Sequence, residues 1–258
     1  MVLERSNLLL DWDSASIYLV GCGGTGGFIA PLLDKLVYRM NRQKNVSLTY
    51  IDHDRVEEKN LLRQRFEKQD ISNYKSIVLA LKAISKVTVS IEEFKDFADK
   101  VDIVSRNTIL IVIGAVDTAE GRRQIAHYVE RRGKYNNRVF WIDCGNTAKT
   151  GQVILGNSSE IRADAIGYSS VPWPSIQEPD LLIDDDSETT EVAQGCAEME
   201  DQQHFILNSL TATYCVAMLE ELLENRLQKR AVYFNRQVLE AVWLEPVCNS
   251  SKTKASEG

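Results

Sequence analysis

"VGCGGTGG", Val20 to Gly27, follows the apolar run "SIYLV" (Ser16 to Val20) and leads into an apolar helix from about Phe28 to Met40. Gly21, Gly23 and Gly26 have G-x-G-x-x-G spacing, and Gly24 adds room. Glycines in a strand-to-helix turn let the backbone approach phosphates, and the helix start adds unpaired N–H groups and a positive dipole end. The bland alternative is a tight turn with no ligand. Phosphate binding fits the context, but the loop does not choose between NAD, FAD and ATP.

The next strand, "VSLTYI", runs into "YIDHDRVEEKNLLRQRF", Tyr50 to Phe66. Asp52 stands where a ribose-binding acid belongs, although a turn residue or helix cap has the same appearance. Taken alone, Asp52 makes a dehydrogenase the leading expectation. Asn60, Arg63 and Gln64, at i, i+3 and i+4, change it, because a helical turn puts all three on one face. NAD has no leaving group for such residues to serve. A triphosphate attacked at its α-phosphorus needs cations on the departing pyrophosphate. Arg63 suits that task, with Lys75 as a second cation. Asp117 follows the run "ILIVIGAV", where open α/β sheets place ligand contacts, and its carboxylate can hold Mg²⁺. Arg122 either orients Asp117 or faces solvent.

Outward from these motifs, strand-like and helix-like patterns alternate. "KSIVLALKAI" carries Ile77, Leu81 and Ile84 as a helical stripe, and "ILIVIGAV" is continuous enough for a strand buried on both faces. A polar helix from about Ala119 to Arg132 precedes "VFWID". The expected fold is α/β, with a Rossmann-like, mostly parallel sheet and helices on both faces. A long crossover loop, about 157–195, comes next, with little periodicity and the acidic run "IDDDSETTE". A C-terminal helix is expected from about Ala197 to Leu227, with Leu207, Leu210, Tyr214, Met218 and Leu222 on one face. The short strands "AVYF" and "EAVWLEPV" follow. Residues 1–248 read as one domain and 249–258 as a polar tail.

Composition narrows the classes. The chain has 258 residues, 44% hydrophobic and 26% charged. No stretch reads as the roughly 20 apolar residues of a membrane span, and the N-terminus lacks a secretory pattern, so a cytoplasmic protein away from membranes is expected. A net charge of −7 argues against binding nucleic acid by phosphate neutralisation. Five cysteines without a C-x-x-C pair, and three scattered histidines, argue against structural zinc.

The assembled residues resemble the ThiF/MoeB family, the adenylating fold shared with ubiquitin-activating enzymes. The family pattern comprises a glycine loop, D-x-D-x-V-x-x-x-N-L-x-R-Q, a downstream lysine and D-x-x-x-x-R. Asp52, Asp54, Val56, Asn60, Leu61, Arg63, Gln64, Lys75, Asp117 and Arg122 match it. "GGTGG", "WIDCGNTAKTGQVILG", "GCAEMEDQQHFILN" and "YFNRQ…WLEP" resemble more closely the ThiF-family subgroup of PRTRC gene cassettes.

The resemblance implies ATP- and Mg²⁺-dependent adenylation of the C-terminal carboxylate of a ubiquitin-like β-grasp protein. ATP would meet Gly21, Gly23, Gly24, Gly26, Asp52, Asp54, Asn60, Arg63, Gln64 and Lys75, with Asp117 as metal ligand. A homodimer and a conjugating-enzyme-like partner are also implied. The family's C-x-x-C zinc pairs are absent, and so is the R-Y-x-R-Q element that reaches across the dimer, with Arg5 the one nearby arginine. Arg63, Lys75 and Asp117 are the expected catalytic residues. Cys196, after Gly195 and just before a predicted helix, joins them as the thiol for a thioester step, since a helix start lowers a thiol's pKa. A small buried residue is the alternative there. Two other functions stay open, a non-catalytic nucleotide-binding scaffold of a plasmid or defence complex and an NAD-dependent oxidoreductase.

Overall fold

The computed structural model describes residues 8, 10–100, 108–134, 138–147, 149–160, 162–163, 168–184, 205–235 and 239–243. Strands β1 (Ser14–Val20), β2 (Asn45–Ile51), β3 (Val87–Ser90), β4 (Thr108–Gly114) and β5 (Val139–Asn146) alternate with four helices. These are α1 (Gly24–Met40), α2 (Lys75–Leu81), α3 (Phe94–Lys100) and α4 (Ala119–Gly133). Next come β6 (Thr150–Gly156), the short pair β7 (Arg162–Ala163) and β8 (Tyr168–Ser170), and α5 (Pro174–Gln177). Helix α6 (Phe205–Leu223) precedes β9 (Lys229–Asn235) and β10 (Leu239–Trp243).

Eight strands form one sheet in the order β10-β9-β6-β5-β4-β1-β2-β3. The five from β3 to β5 are parallel, and β6, β9 and β10 add antiparallel neighbours. Strict alternation along the central strands sorts side chains to two faces. Ile17, Leu19, Ile109, Ile111, Phe140 and Ile142 pack with Ile29 and Leu33 of α1 and Met218 of α6. Tyr18, Leu110, Val112, Val139 and Trp141 pack instead with Phe94 of α3 and Ile125 and Val129 of α4. The expected mostly parallel sheet with helices on both faces is therefore present.

Register positions the site. Val20 lies level with Ile51 and with Gly114, and Gly114 with Asp143. The chain fills β1, β2 and β3 in one direction and returns to β4 on the other side of β1. The crevice between β1 and β4, at the carboxyl ends, is thus a topological switch point.

Several local expectations change. Helix α1 starts at Gly24, not near Phe28, because the glycine loop itself supplies its first turn. Ile77, Leu81 and Ile84 are not a buried stripe: Leu81 is 82% exposed and Ile84 62%. Helix α2 stops at Leu81, and the Asp34 carboxylate then takes the N–H groups of Ile84 and Ser85, both at 2.8 Å. Its buried residues are Lys75, Ser76, Val78 and Leu79.

Helix α6 is described from Phe205 only, and it buries Leu207, Thr211, Cys215, Met218 and Leu222, whereas Leu210 is 37% exposed. A helix apolar on all sides gives no phase from which to choose its inner face. By length and composition it is also apolar enough to cross a membrane, contrary to the sequence expectation. Its packing against α1, β5 and β6 is that of a core helix. Part of the expected 157–195 loop is built, as β7, β8, α5 and the 3₁₀ turn Pro179–Leu182. Arg5, Cys196 and the 249–258 tail lie outside the described residues.

Candidate active site

The loop after β1 has one backbone geometry that only glycine meets easily. Gly21 has φ +88°, and a methyl there would lie 2.5 Å from the Ala115 carbonyl oxygen. One on Gly26 would lie 1.9 Å from the Gly21 carbonyl oxygen, so α1 packs directly on the turn. Gly23, the N-cap of α1, brings no side chain to cover the helix's first N–H groups, and no acid occupies the first turn. An anion is the partner such an end favours.

Asp52 closes the loop from the β2 side. Its Oδ2 accepts from the Cys22 N–H at 2.6 Å and its Oδ1 from the Asp54 N–H at 2.7 Å. Burial pushes its pKa up, against those two N–H groups and the Lys75 charge. Each oxygen retains a lone pair for a ribose hydroxyl.

The turn expected at Asn60 is present as a 3₁₀ helix, Glu58–Leu62, with the Arg63 and Gln64 N–H groups both donating to the Asn60 carbonyl. Asn60 is 3% exposed, and its Oδ1 accepts from the Glu57 N–H at 2.9 Å, so part of this amide holds the turn itself. Gln64 bends over the glycine loop, its Nε2 3.6 Å from where a methyl on Gly23 would be. Its Oε1 is buried without a hydrogen-bond partner. Lys75, 7% exposed, pairs with Asp54 at 2.8 Å. Burial pushes the Asp54 carboxyl up, but the Lys75 hydrogen bond and charge outweigh it and bring the pKa below the usual range.

Asp117 stands exposed beyond β4 on the same ledge. Arg122 neither orients it nor faces open solvent. Its Nε donates to Asp143 Oδ1 at 3.2 Å, with side chains 14% and 0% exposed. The carboxyl of Asp143 is raised to about 6 by burial, which outweighs the opposing pull of Arg122.

All these groups line one cavity of about 1510 Å³ at the switch point: Gly21, Gly23 and Gly24 with Asp52 and Asp54, then Asn60, Arg63, Gln64 and Lys75, then Asp117 and Arg122. Gly26 does not line it but packs against the Gly21 carbonyl. Small-molecule sites are typically ~300–1,000 Å³, so this one has room beyond a nucleotide. Among the described residues, the one grouping of three ligand-type side chains is Asp52, His53 and Asp54, not a set around Asp117.

Other residues here went unassigned in the sequence. Thr25 Oγ1 donates to Asn146 Oδ1 at 2.8 Å, and Asn146 Nδ2 donates to Asn208 Oδ1 at 2.8 Å. The three tie the first turn of α1 to β5 and α6. Asp143, also unassigned, did carry a signal: an acid inside the apolar run "VFWIDC" marks a buried carboxylate that needs a cation.

A ThiF family model matches residues 4–239. The chain belongs to the ThiF family. A comparison with curated proteins finds no match. Solved structures similar to this ThiF-family chain include E. coli MccB with AMPCPP and MccA, at 16% identity and a TM-score of 0.56, with 91% of this chain and 65% of that one covered. E. coli MccB with ATP gives 16% identity and 0.55, over 91% and 65%. PaaA gives 13% and 0.51, over 90% and 65%. At these identities the likeness is one of fold, and the ThiF-family chain spans 65% of each of these structures' length.

Proposed function

We propose that this ThiF-family protein adenylates the C-terminal carboxylate of a ubiquitin-like β-grasp protein. One observation carries it: an acid placed for a ribose, a helix-start phosphate loop, Arg63, Lys75 and Asp117 converge on one cavity at the switch point. The MccB structures that hold ATP, or AMPCPP with MccA, support adenylation of a peptide or protein carboxylate on this fold. The PRTRC-type segments support the ubiquitin-like choice of partner and a conjugating-enzyme-like protein downstream.

A carboxylate oxygen attacks the α-phosphorus, the bond to the bridging oxygen breaks, and pyrophosphate leaves with the electron pair. Asp52 binds the ribose, and the loop N–H groups bind phosphate. Arg63 and Lys75 meet the charge growing on pyrophosphate, Asn60 holds the turn that presents Arg63, and Gln64 lies over the glycine loop beside the phosphates. Lys75 must first leave Asp54, which the triphosphate's greater charge favours. Mg²⁺ is bound by one or two carboxylates together with phosphates and water, and Asp117 on an exposed ledge beside the loop fits that pattern. The metal would supply charge neutralisation on the triphosphate.

Pyrophosphate exchange into ATP tests this function with each small β-grasp protein encoded nearby. Exchange should require the partner and Mg²⁺, and a folded Asp117→Ala protein should lose it. Exchange with no partner, or none with any, would count against the proposal. In the same mixtures Cys196 would take the acyl group as a thioester, seen as a thiol-sensitive adduct that Cys196→Ala lacks while exchange persists. An adduct surviving that substitution would remove Cys196 from the scheme.

A further inference from the structure

Arg122 is bound at one end and open at the other. Its Nε–H goes to Asp143, while its Nη2 lies against the cavity wall at Gly145, where a methyl would be 3.3 Å from it and 3.4 Å from Gln152. Among the described residues, the terminal nitrogens donate to no protein group. Asp143 is itself fully buried, and among the described residues Arg122 is the one hydrogen-bond partner of its carboxylate, the Oδ2 having none. A guanidinium anchored through Nε, with its fork along a cavity wall, is a pre-oriented receptor for a planar anion.

Strand order says which anion. Asp52 follows β2, the phosphate loop follows β1, Asp117 comes after β4, and Asp143 lies in β5, which is the order of these strands across the sheet. Neighbouring strands are ~4.8 Å apart, so β5 lies roughly 14 Å from β2. A nucleotide held at β2 and β1 leaves the β5 end to whatever approaches from the other side. Resting on the adenylation proposed above, we infer that Arg122, positioned by Asp143, is the receptor for the acceptor's attacking carboxylate. The subsite is walled by Gly145 and Gln152. Asp143 is a positioning residue that acts through Arg122. A pair that merely fastened α4 to β5 would have no use for an open fork.

Acetate, the smallest carboxylate with a methyl, serves as the probe, so the experiment needs no identified partner. In the ¹⁵N-labelled full chain, the Arg122 Nε–Hε resonance is assigned by its loss in Arg122→Lys, or in Arg122→Gln should the first fold poorly. Sodium acetate should shift it saturably, sodium chloride at equal ionic strength should not, and Asp143→Asn should weaken acetate several-fold. An unmoved resonance would overturn the subsite. So would a shift with inorganic phosphate but not acetate, which would give Arg122 to the nucleotide. A saturable acetate shift in a protein inactive with every partner would uphold the subsite and sink the adenylation proposal instead.

Discussion

Asp143→Asn removes a charge that the fold holds at a cost. The Asp143 carboxyl is raised from 3.8 to about 6, with burial as the chief cause and Arg122 opposing. Each tenfold change in proton affinity is ~1.4 kcal/mol, so this span corresponds to about 3 kcal/mol. The sign follows from proton counts. Between the two values the folded protein holds a proton that the unfolded chain has released, so raising the pH weakens folding. The stabilising effect of protonation is full below the unfolded value and is lost as pH rises through about 6. Asparagine keeps the shape and cannot titrate. Denaturant unfolding of both proteins from about pH 4 to about pH 7.5 isolates the effect, because other groups cancel in the difference. Wild type should lose about 2.4 kcal/mol relative to the variant across that range, the part of the effect that falls above pH 4, whatever their offset at the start. A flat difference would refute the reasoning. Wild type gaining on the variant would be worse for it, since that is the behaviour of a carboxylate that its ion pair stabilises more than burial disfavours.

Two further substitutions probe the nucleotide side. Arg63→Ala should lower turnover by ~10²–10³, or about 2.7–4 kcal/mol, with a smaller loss in ATP affinity, because the charge it meets grows as pyrophosphate departs. Exchange rates and ATP titration measure both, and lost affinity with unchanged turnover would make Arg63 a ground-state binder. Gly26→Ala puts a methyl 1.9 Å from the Gly21 carbonyl oxygen, a backbone clash that no rotamer relieves. It should destabilise the fold by ~1–3 kcal/mol or more and abolish ATP binding, so wild-type affinity by calorimetry would contradict the loop geometry.

What was legible in the sequence was local. The glycine spacing of Gly21–Gly26, the strand end at Asp52 and the Asn60–Gln64 turn are signatures of a few consecutive residues, although Asp52 is also held by the Cys22 N–H across the loop. Lys75 and Asp117 were placed by the resemblance and by strand ends, and the cavity gathers them. Pairings across the sheet were not legible. In sequence Arg122 reads as orienting Asp117 or facing solvent because its actual partner, Asp143, is 21 residues away, and register brings β5 beside α4. The Asp54–Lys75 ion pair is equally silent in sequence. Strands β3 and β6 went unassigned, one for being four residues long and the other for following β5 closely after a turn. Ile77, Leu81 and Ile84 had helical spacing, but Asp34, 50 residues before Ile84, ended the helix first.

The central claim is that an acceptor carboxylate attacks the α-phosphorus of ATP. The direct measurement gives the enzyme ATP, Mg²⁺, hydroxylamine and a partner whose C-terminal carboxylate carries ¹⁸O, then locates the label by mass spectrometry. Attack at the α-phosphorus leaves one carboxylate oxygen bridging acyl carbon and phosphorus, and hydroxylamine then takes the acyl group from it. The account predicts ¹⁸O in AMP, with unlabelled pyrophosphate. Label in inorganic phosphate alongside ADP would mean attack at the γ-phosphorus, and it would contradict the account.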